Sequence, residues 1–203
     1  MRYQEARDQI QTGDLLTFGG GDGFFSKLIS FWGGVKSLVW KGRWRPDRIT
    51  HVGMAIWVTV AADKEPKLCV LEPRAFQGVR LVPLSHVLCK GKKQHYRVYW
   101  QPIISEISKI DAADYAMRHW AKAYASVWQF VVIAFSAVQW CLKAFGWNLD
   151  LSADRFHCSE LATRSLMSAG YHHLKNPAMT TPQMVSEFRC LGHPTLLEWC
   201  NDA

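Results

Sequence analysis

The chain has 203 residues, with 24 Lys and Arg against 17 Asp and Glu, a formal charge of +7. Hydrophobic residues make up 49% and 10 residues are Trp. This composition excludes disordered, collagenous and low-complexity proteins, and it supports a core that needs neither disulfides nor a metal. The positive balance suits an anionic surface or polymer without choosing among them.

No repeat or Ser/Pro-rich linker divides the sequence, so a single domain over residues 1–203 is expected. The charged start, Met1 to Asp8, leads into no apolar run. No signal peptide is therefore expected, and the chain reads as cytoplasmic rather than secreted. Six cysteines, Cys69, Cys89, Cys141, Cys158, Cys190 and Cys200, form no Cys-x-x-Cys pair. Neither a disulfide framework nor a metal site is expected from them.

In chain order, Gly13-Asp14 introduces the apolar run Leu15 to Phe18, and a Gly cluster from Gly19 to Gly23 breaks it. Phe24 to Trp32 reads as a short apolar helix ended by Gly33-Gly34. A basic loop carries Lys41, Arg43, Arg45 and Arg48 interleaved with Trp40 and Trp44. Thr50–Thr59, Lys67–Glu72, Val79–Val82 and His95–Trp100 are β-branched or aromatic runs bounded by turn residues, as in an antiparallel sheet.

After Pro102 the pattern becomes helical, with a long segment over residues 108–146. Its 20 uncharged residues between Lys122 and Lys143 are long enough for a membrane span. The polar positions Asp111, Asp114, Arg118, Lys122, Ser126, Gln129, Ser136, Gln139 and Lys143 nevertheless share about 140° of the helix circumference. A helix laid on a soluble core is expected, broken near Tyr124 to Ser126 because a straight one would outrun the domain. Cys158 opens a further helix that Gly170 ends, and Thr181 and Pro182 supply the N-cap and first residue of a last one.

Strand alternation places His51, Gly53 and Ala55 on one face and Val52, Met54 and Ile56 on the other, a core face. The first set leaves space above the sheet beside an imidazole. In the simplest hairpin register, 51 faces 72, 53 faces 70 and 55 faces 68, so His51 and Glu72 meet across the ladder. A carboxylate beside an imidazole fixes its tautomer and favours the cation. Cys158, at a helix N-terminus, is placed for a stabilised thiolate whose own N–H can serve an oxyanion. Taken singly, a buried cysteine and a structural strand histidine are the default readings.

Several short motifs occur in one order: Gly13-Asp14-Leu15-Leu16, Ser26-Lys27-Leu28-Ile29, Thr50-His51-Val52-Gly53-Met54, Val70-Leu71-Glu72-Pro73, Phe156-His157-Cys158-Ser159-Glu160-Leu161 and Thr181-Pro182-Gln183. Over about residues 12–188 this order resembles the circularly permuted branch of the NlpC-type papain-like superfamily, the YiiX/YebB-like proteins. The resemblance implies an α+β fold with an antiparallel, barrel-like sheet packed against a Cys-bearing helix and a long helical insertion. It implies Cys158 as nucleophile, His51 as general base and Glu72 as the residue that orients the histidine. No cofactor is implied.

Other candidates read differently. The Gly19–Gly23 run lacks the Gly-Lys-Ser/Thr of a phosphate loop and reads as a turn. His157 is a wall or cap, His119, His172 and His173 lack metal-ligand spacing, and Asp14 is a structural capping residue. The expected activity is thiol hydrolysis or acyl transfer on an amide or ester of a peptide, cell-wall peptide or acyl-lipid. The alternative is a non-enzymatic binder using Lys41, Arg43, Arg45 and Arg48 on an anionic surface. Neither specific nucleic-acid binding nor a membrane span is expected.

Overall fold

The computed structural model describes residues 1–21, 26–27, 29–31, 34, 48–59, 65–74, 77–93, 95–124, 155–172, 177 and 180–199. The elements in order are α1 (Tyr3–Arg7), β1 (Leu15–Gly20), β2 (Ile49–Val58), β3 (Lys67–Arg74), β4 (Gly78–Pro83) and α2 (Leu84–Lys93). They continue with β5 (Tyr96–Gln101), α3 (Lys109–Arg118), β6 (Ala123–Tyr124), β7 (Arg155–Phe156), α4 (Cys158–Ser168), α5 (Pro182–Ser186) and β8 (Thr195–Leu197).

Six strands form an antiparallel sheet in the order β4-β3-β2-β1-β5-β8. It is open, not the barrel-like closure expected from the sequence. Its edges are covered in other ways, which removes the need to close. At the β4 edge, Val79 exchanges backbone bonds with the turn after α3, donating to Lys122 and accepting from Ala121. At the β8 edge the N-terminus docks, with Tyr3 donating to Glu198 and Glu198 donating to Met1.

Both faces of the sheet are buried. Leu15, Val52, Met54 and Leu71 meet Ala112 and Ala116 of α3 and Leu161 and Leu166 of α4. On the other face, Leu16, Phe18, Ala55 and Val70 meet Ala6 of α1 and Leu84, Val87 and Leu88 of α2. Each fully buried Leu contributes about 1.5–3 kcal/mol to this double core. The space expected above Ala55 is therefore filled. Helix α2 is what fills it, and its apolar spacing at 84, 87 and 88 is helical.

Residues 26–27, 29–31 and 34 are helical, while the rest of the expected Phe24–Trp32 helix and Gly33 lie outside the described residues. Two further expectations are corrected. Helix α3 stops at Arg118, earlier than residues 124–126, because the β4 edge captures the backbone of Ala121 and Lys122. Ala121 turns there with a φ of 65°. The β2/β3 register pairs Met54 with Leu71 and Ala55 with Val70, two residues from the expected one. An even slip keeps every side chain on its face, so facial assignments survive it.

Residues 41–47 of the basic loop and 125–142 of the uncharged segment lie outside the described residues. Among the described residues no helix is long and apolar enough to cross a membrane. In α3, Asp111, Asp114 and Arg118 are exposed while Ala112, Ala113 and Ala116 are buried, the phase the polar stripe requires.

Candidate active site

The site begins with an irregularity in β2. Phe18 pairs with His51 and Gly19 with Ile49, so Thr50 is an extra residue immediately before the histidine. Pairing is unbroken from His51 to Met54, so His51 shares the face of its partner Phe18, at the point where the ladder to β1 is interrupted. The ring lies against Phe18 with centroids 5.0 Å apart and planes tilted by 55°, hydrogen-bonds the Glu72 side chain, and is within electrostatic reach of Cys158. The strand's start is fixed by Gln183 of α5, whose Oε1 accepts from the backbone N–H groups of Arg48 and Ile49 at 3.2 and 3.1 Å. Thr181 caps α5 by accepting from Met184, and Pro182 is its first residue, as expected.

Glu72 lies on β3, fully buried. In place of direct opposition to His51, it reaches the ring diagonally, and Gly53 makes that possible. A Cβ on Gly53 would come within 2.5 Å of Val70 Cγ2 and 3.3 Å of Glu72 Cβ. His51 Nε2 bonds Glu72 Oε2 at 2.8 Å. Since each ring nitrogen has a single in-plane position, Nδ1 is the nitrogen left for any partner other than Glu72. Burial opposes the imidazolium, but Cys158 and then Glu72 outweigh it and raise His51 to about 9. Burial likewise opposes the Glu72 carboxylate. His51, Arg74 and Arg80 outweigh it and pull Glu72 down to about 2.

Cys158 is the first residue of α4 and is buried. Its N–H is among those a helix leaves without an internal partner. His157 is the N-cap, its Nδ1 accepting from the N–H of Glu160 at 3.2 Å. That assigns it a capping role, in line with its expected place as wall or cap. Ser159 donates to the carbonyl of Thr180 at 2.5 Å, tying α4 to the segment that leads into α5. An apolar crevice beside the thiol is lined by Gly53, Met54, Leu71, Pro73, Ala116 and Leu161.

Asp14 is a structural node. Its carboxylate accepts from Trp100 Nε1 at 3.0 Å and the N–H groups of Gln11 and Ile103, and pairs with Lys109 at 2.9 Å. Gly13 before it has a φ of +97°, and a Cβ there would lie 2.3 Å from the Lys109 carbonyl oxygen. The Gly-Asp pair thus joins β1, β5 and α3 away from the thiol. Gly20 and Gly21 also have positive φ and turn the chain after β1. His119 lies against the Tyr115 carbonyl at 2.7 Å at the end of α3. Among the described residues no three His, Cys, Asp or Glu side chains form a metal-binding group.

Sequence reasoning passed over Arg74, Arg80 and Gln183. Arg80 had a usable signal: a hairpin that pairs Arg74 with Gly78 sets residue 72 opposite 80, and the structure shows both pairs. No protein-family model matches the chain and no curated protein matches it. A crystal structure of the metalloprotein yiiX from Escherichia coli O157:H7 is similar, with a TM-score of 0.54 and 20% identity. The alignment covers 95% of this chain and 99% of that one, so the likeness in fold runs through nearly the whole of both.

Proposed function

We propose that the chain is a permuted papain-like thiol hydrolase or acyltransferase that forms an acyl-enzyme on Cys158. The observation that carries this reading is the imidazole of His51, bonded through Nε2 to a buried carboxylate and within electrostatic reach of Cys158. The histidine strand precedes the cysteine helix along the chain, as the permuted order requires.

His51 Nδ1 takes the thiol proton, and Glu72 stabilises the imidazolium through Nε2–H. The thiolate attacks the carbonyl carbon of an amide or ester, forming the C–S bond. The oxyanion lies toward the N-terminus of α4, where the Cys158 N–H can donate. The imidazolium returns its proton to the leaving nitrogen or oxygen as that bond breaks. Water, deprotonated by the same imidazole, then hydrolyses the thioester, or an acceptor nucleophile takes the acyl group. The substrate class is a peptide, a cell-wall peptide or an acyl-lipid.

The similar structure is named a metalloprotein. Here Glu72 already accepts from His51 and Arg80, with Arg74 at 3.4 Å, and two guanidiniums repel a cation, so these residues do not fit a metal.

Thiol reactivity tests the proposal. Cys89 is exposed, whereas burial pushes the Cys69 thiol up and the Cys190 thiol to about 11. Iodoacetamide at pH 6 should modify Cys158 faster than exposed Cys89, because only Cys158 has an imidazole in reach to take the proton as the sulfur attacks. Modification of Cys89 first, with Cys158 slow, would point to a binding protein that keeps the fold.

A further inference from the structure

Glu72 holds two oxygens with separate duties. Oε2 serves His51 at 2.8 Å, while Oε1 accepts Arg80 Nε at 3.0 Å and Arg80 Nη2 at 2.5 Å, with Arg74 Nε at 3.4 Å. Arg80 stands directly opposite Glu72 in the β3/β4 ladder. Its remaining terminal nitrogen, Nη1, donates to Gln77 Oε1 at 2.6 Å, so the guanidinium plane is fixed at both ends. Its side chain is 24% exposed and that of Glu72 0%. A fully buried carboxylate without such a partner would take up a proton rather than stay charged. A protonated Glu72 would have no charge with which to hold the imidazolium.

We propose that Arg80 is a positioning residue for the acyl-transfer site: it keeps Glu72 ionised and turns Oε2 toward His51, so that the working unit is Cys158–His51–Glu72–Arg80. This rests on the thiol-hydrolase reading for its purpose, but its physical content stands apart from turnover. The charged and titratable groups around the unit are few. Glu72 faces His51 of β2, Arg80 of β4 and Arg74 two residues along its own strand. His51 faces Glu72 and, from α4, Cys158. Tyr96 of β5 feels Glu72, Arg74 and Arg80, while its hydroxyl donates to the Val87 carbonyl at 2.8 Å. Arg80 is the member with two bonds to the carboxylate, and Arg74 is the longer, more exposed contact.

The test follows the His51 ring signals by NMR from pH 7 to pH 3, in the full chain, with assignment from a His51→Gln spectrum. In the wild-type protein these signals should stay flat, since Glu72 titrates at about 2. An opposite charge in contact lowers a carboxyl group by about 1–3 pH units, so Arg80→Met should bring an inflection into the range of about pH 3–5. Arg80→Lys, which keeps the charge and loses the second bond, should show it at lower pH than Arg80→Met. Arg74→Met should move it less than Arg80→Met. If Arg80→Met does not fold, the neutral Arg80→Gln must show the inflection in its place. A folded neutral variant with flat His51 signals down to pH 3 would overturn the inference. A wild-type protein inert toward acyl substrates, with the inflection present in Arg80→Met, would instead overturn the hydrolase reading and leave this one standing.

Discussion

Replacing Glu72 by Gln tests the ion pair most informatively. The rise of His51 from 6.5 to about 9 is worth about 3 kcal/mol in favour of the imidazolium. That figure is net of burial, which opposes it, and Cys158 contributes more than Glu72. An opposite charge in contact favours the charged form by about 1–3 pH units, so losing the carboxylate should lower His51 by about one unit or more. Gln can still accept from Nε2–H but carries no charge. Arg80 and Arg74 would also be left facing the ring with no anion between them, which adds to the drop. The sign follows from the direction of the shift. A raised His51 stays cationic below about 9 and loses its proton above it, so the imidazolium needed to protonate the leaving group is lost on the alkaline side. Hydrolysis of an acyl amide, whose nitrogen must be protonated to leave, measured from pH 5 to 10, should fall in the wild-type enzyme near pH 9. In Glu72→Gln the fall should come at least one pH unit lower. An alkaline limb that does not move would remove Glu72 from the mechanism and leave a Cys158–His51 dyad.

Cys158→Ala should abolish acyl transfer in the same assay, and His51→Ala should remove at least about 100-fold, the usual contribution of a positioned base. Gly53→Ala should cost about 1–3 kcal/mol in urea unfolding, because its Cβ would press on Val70 and on Glu72. The same variant should lower the rate by displacing the carboxylate from the ring. Asp14→Ala should cost about 3 kcal/mol, since it leaves Lys109, the Trp100 indole and two backbone N–H groups without their acceptor. It should leave the shape of the pH–rate profile unchanged, and a shifted limb there would show that Asp14 couples to the thiol.

The five longer strands and the cysteine helix were legible because alternation, turn residues and the Gly170 stop are local signals. His51, Glu72 and Cys158 were legible as chemistry, and the structure brings them together. Two features were not. The β2/β3 register depends on packing across the ladder, where Gly53 sits crowded by Val70 and Glu72 and the pairing falls two residues from the simplest hairpin. The openness of the sheet depends on backbone groups of Ala121, Lys122 and Met1 reaching its edges, contacts between segments far apart along the chain. Arg80 was missed for a related reason: its role exists only across the β3/β4 ladder, and a lone arginine in a strand reads as a solvated side chain. Helix α2 was a plain oversight of period, since Leu84, Val87 and Leu88 repeat at helical spacing.

The most direct measurement is the mass of the protein during turnover. The full chain is mixed with an activated acetyl ester, quenched in acid within the first turnovers, and digested for peptide mapping. The account predicts one acetyl group on the peptide containing Cys158, formed and lost at rates that reproduce steady-state turnover, and none in Cys158→Ala. Turnover without any acylated Cys158 peptide, or turnover that persists in Cys158→Ala, would contradict it.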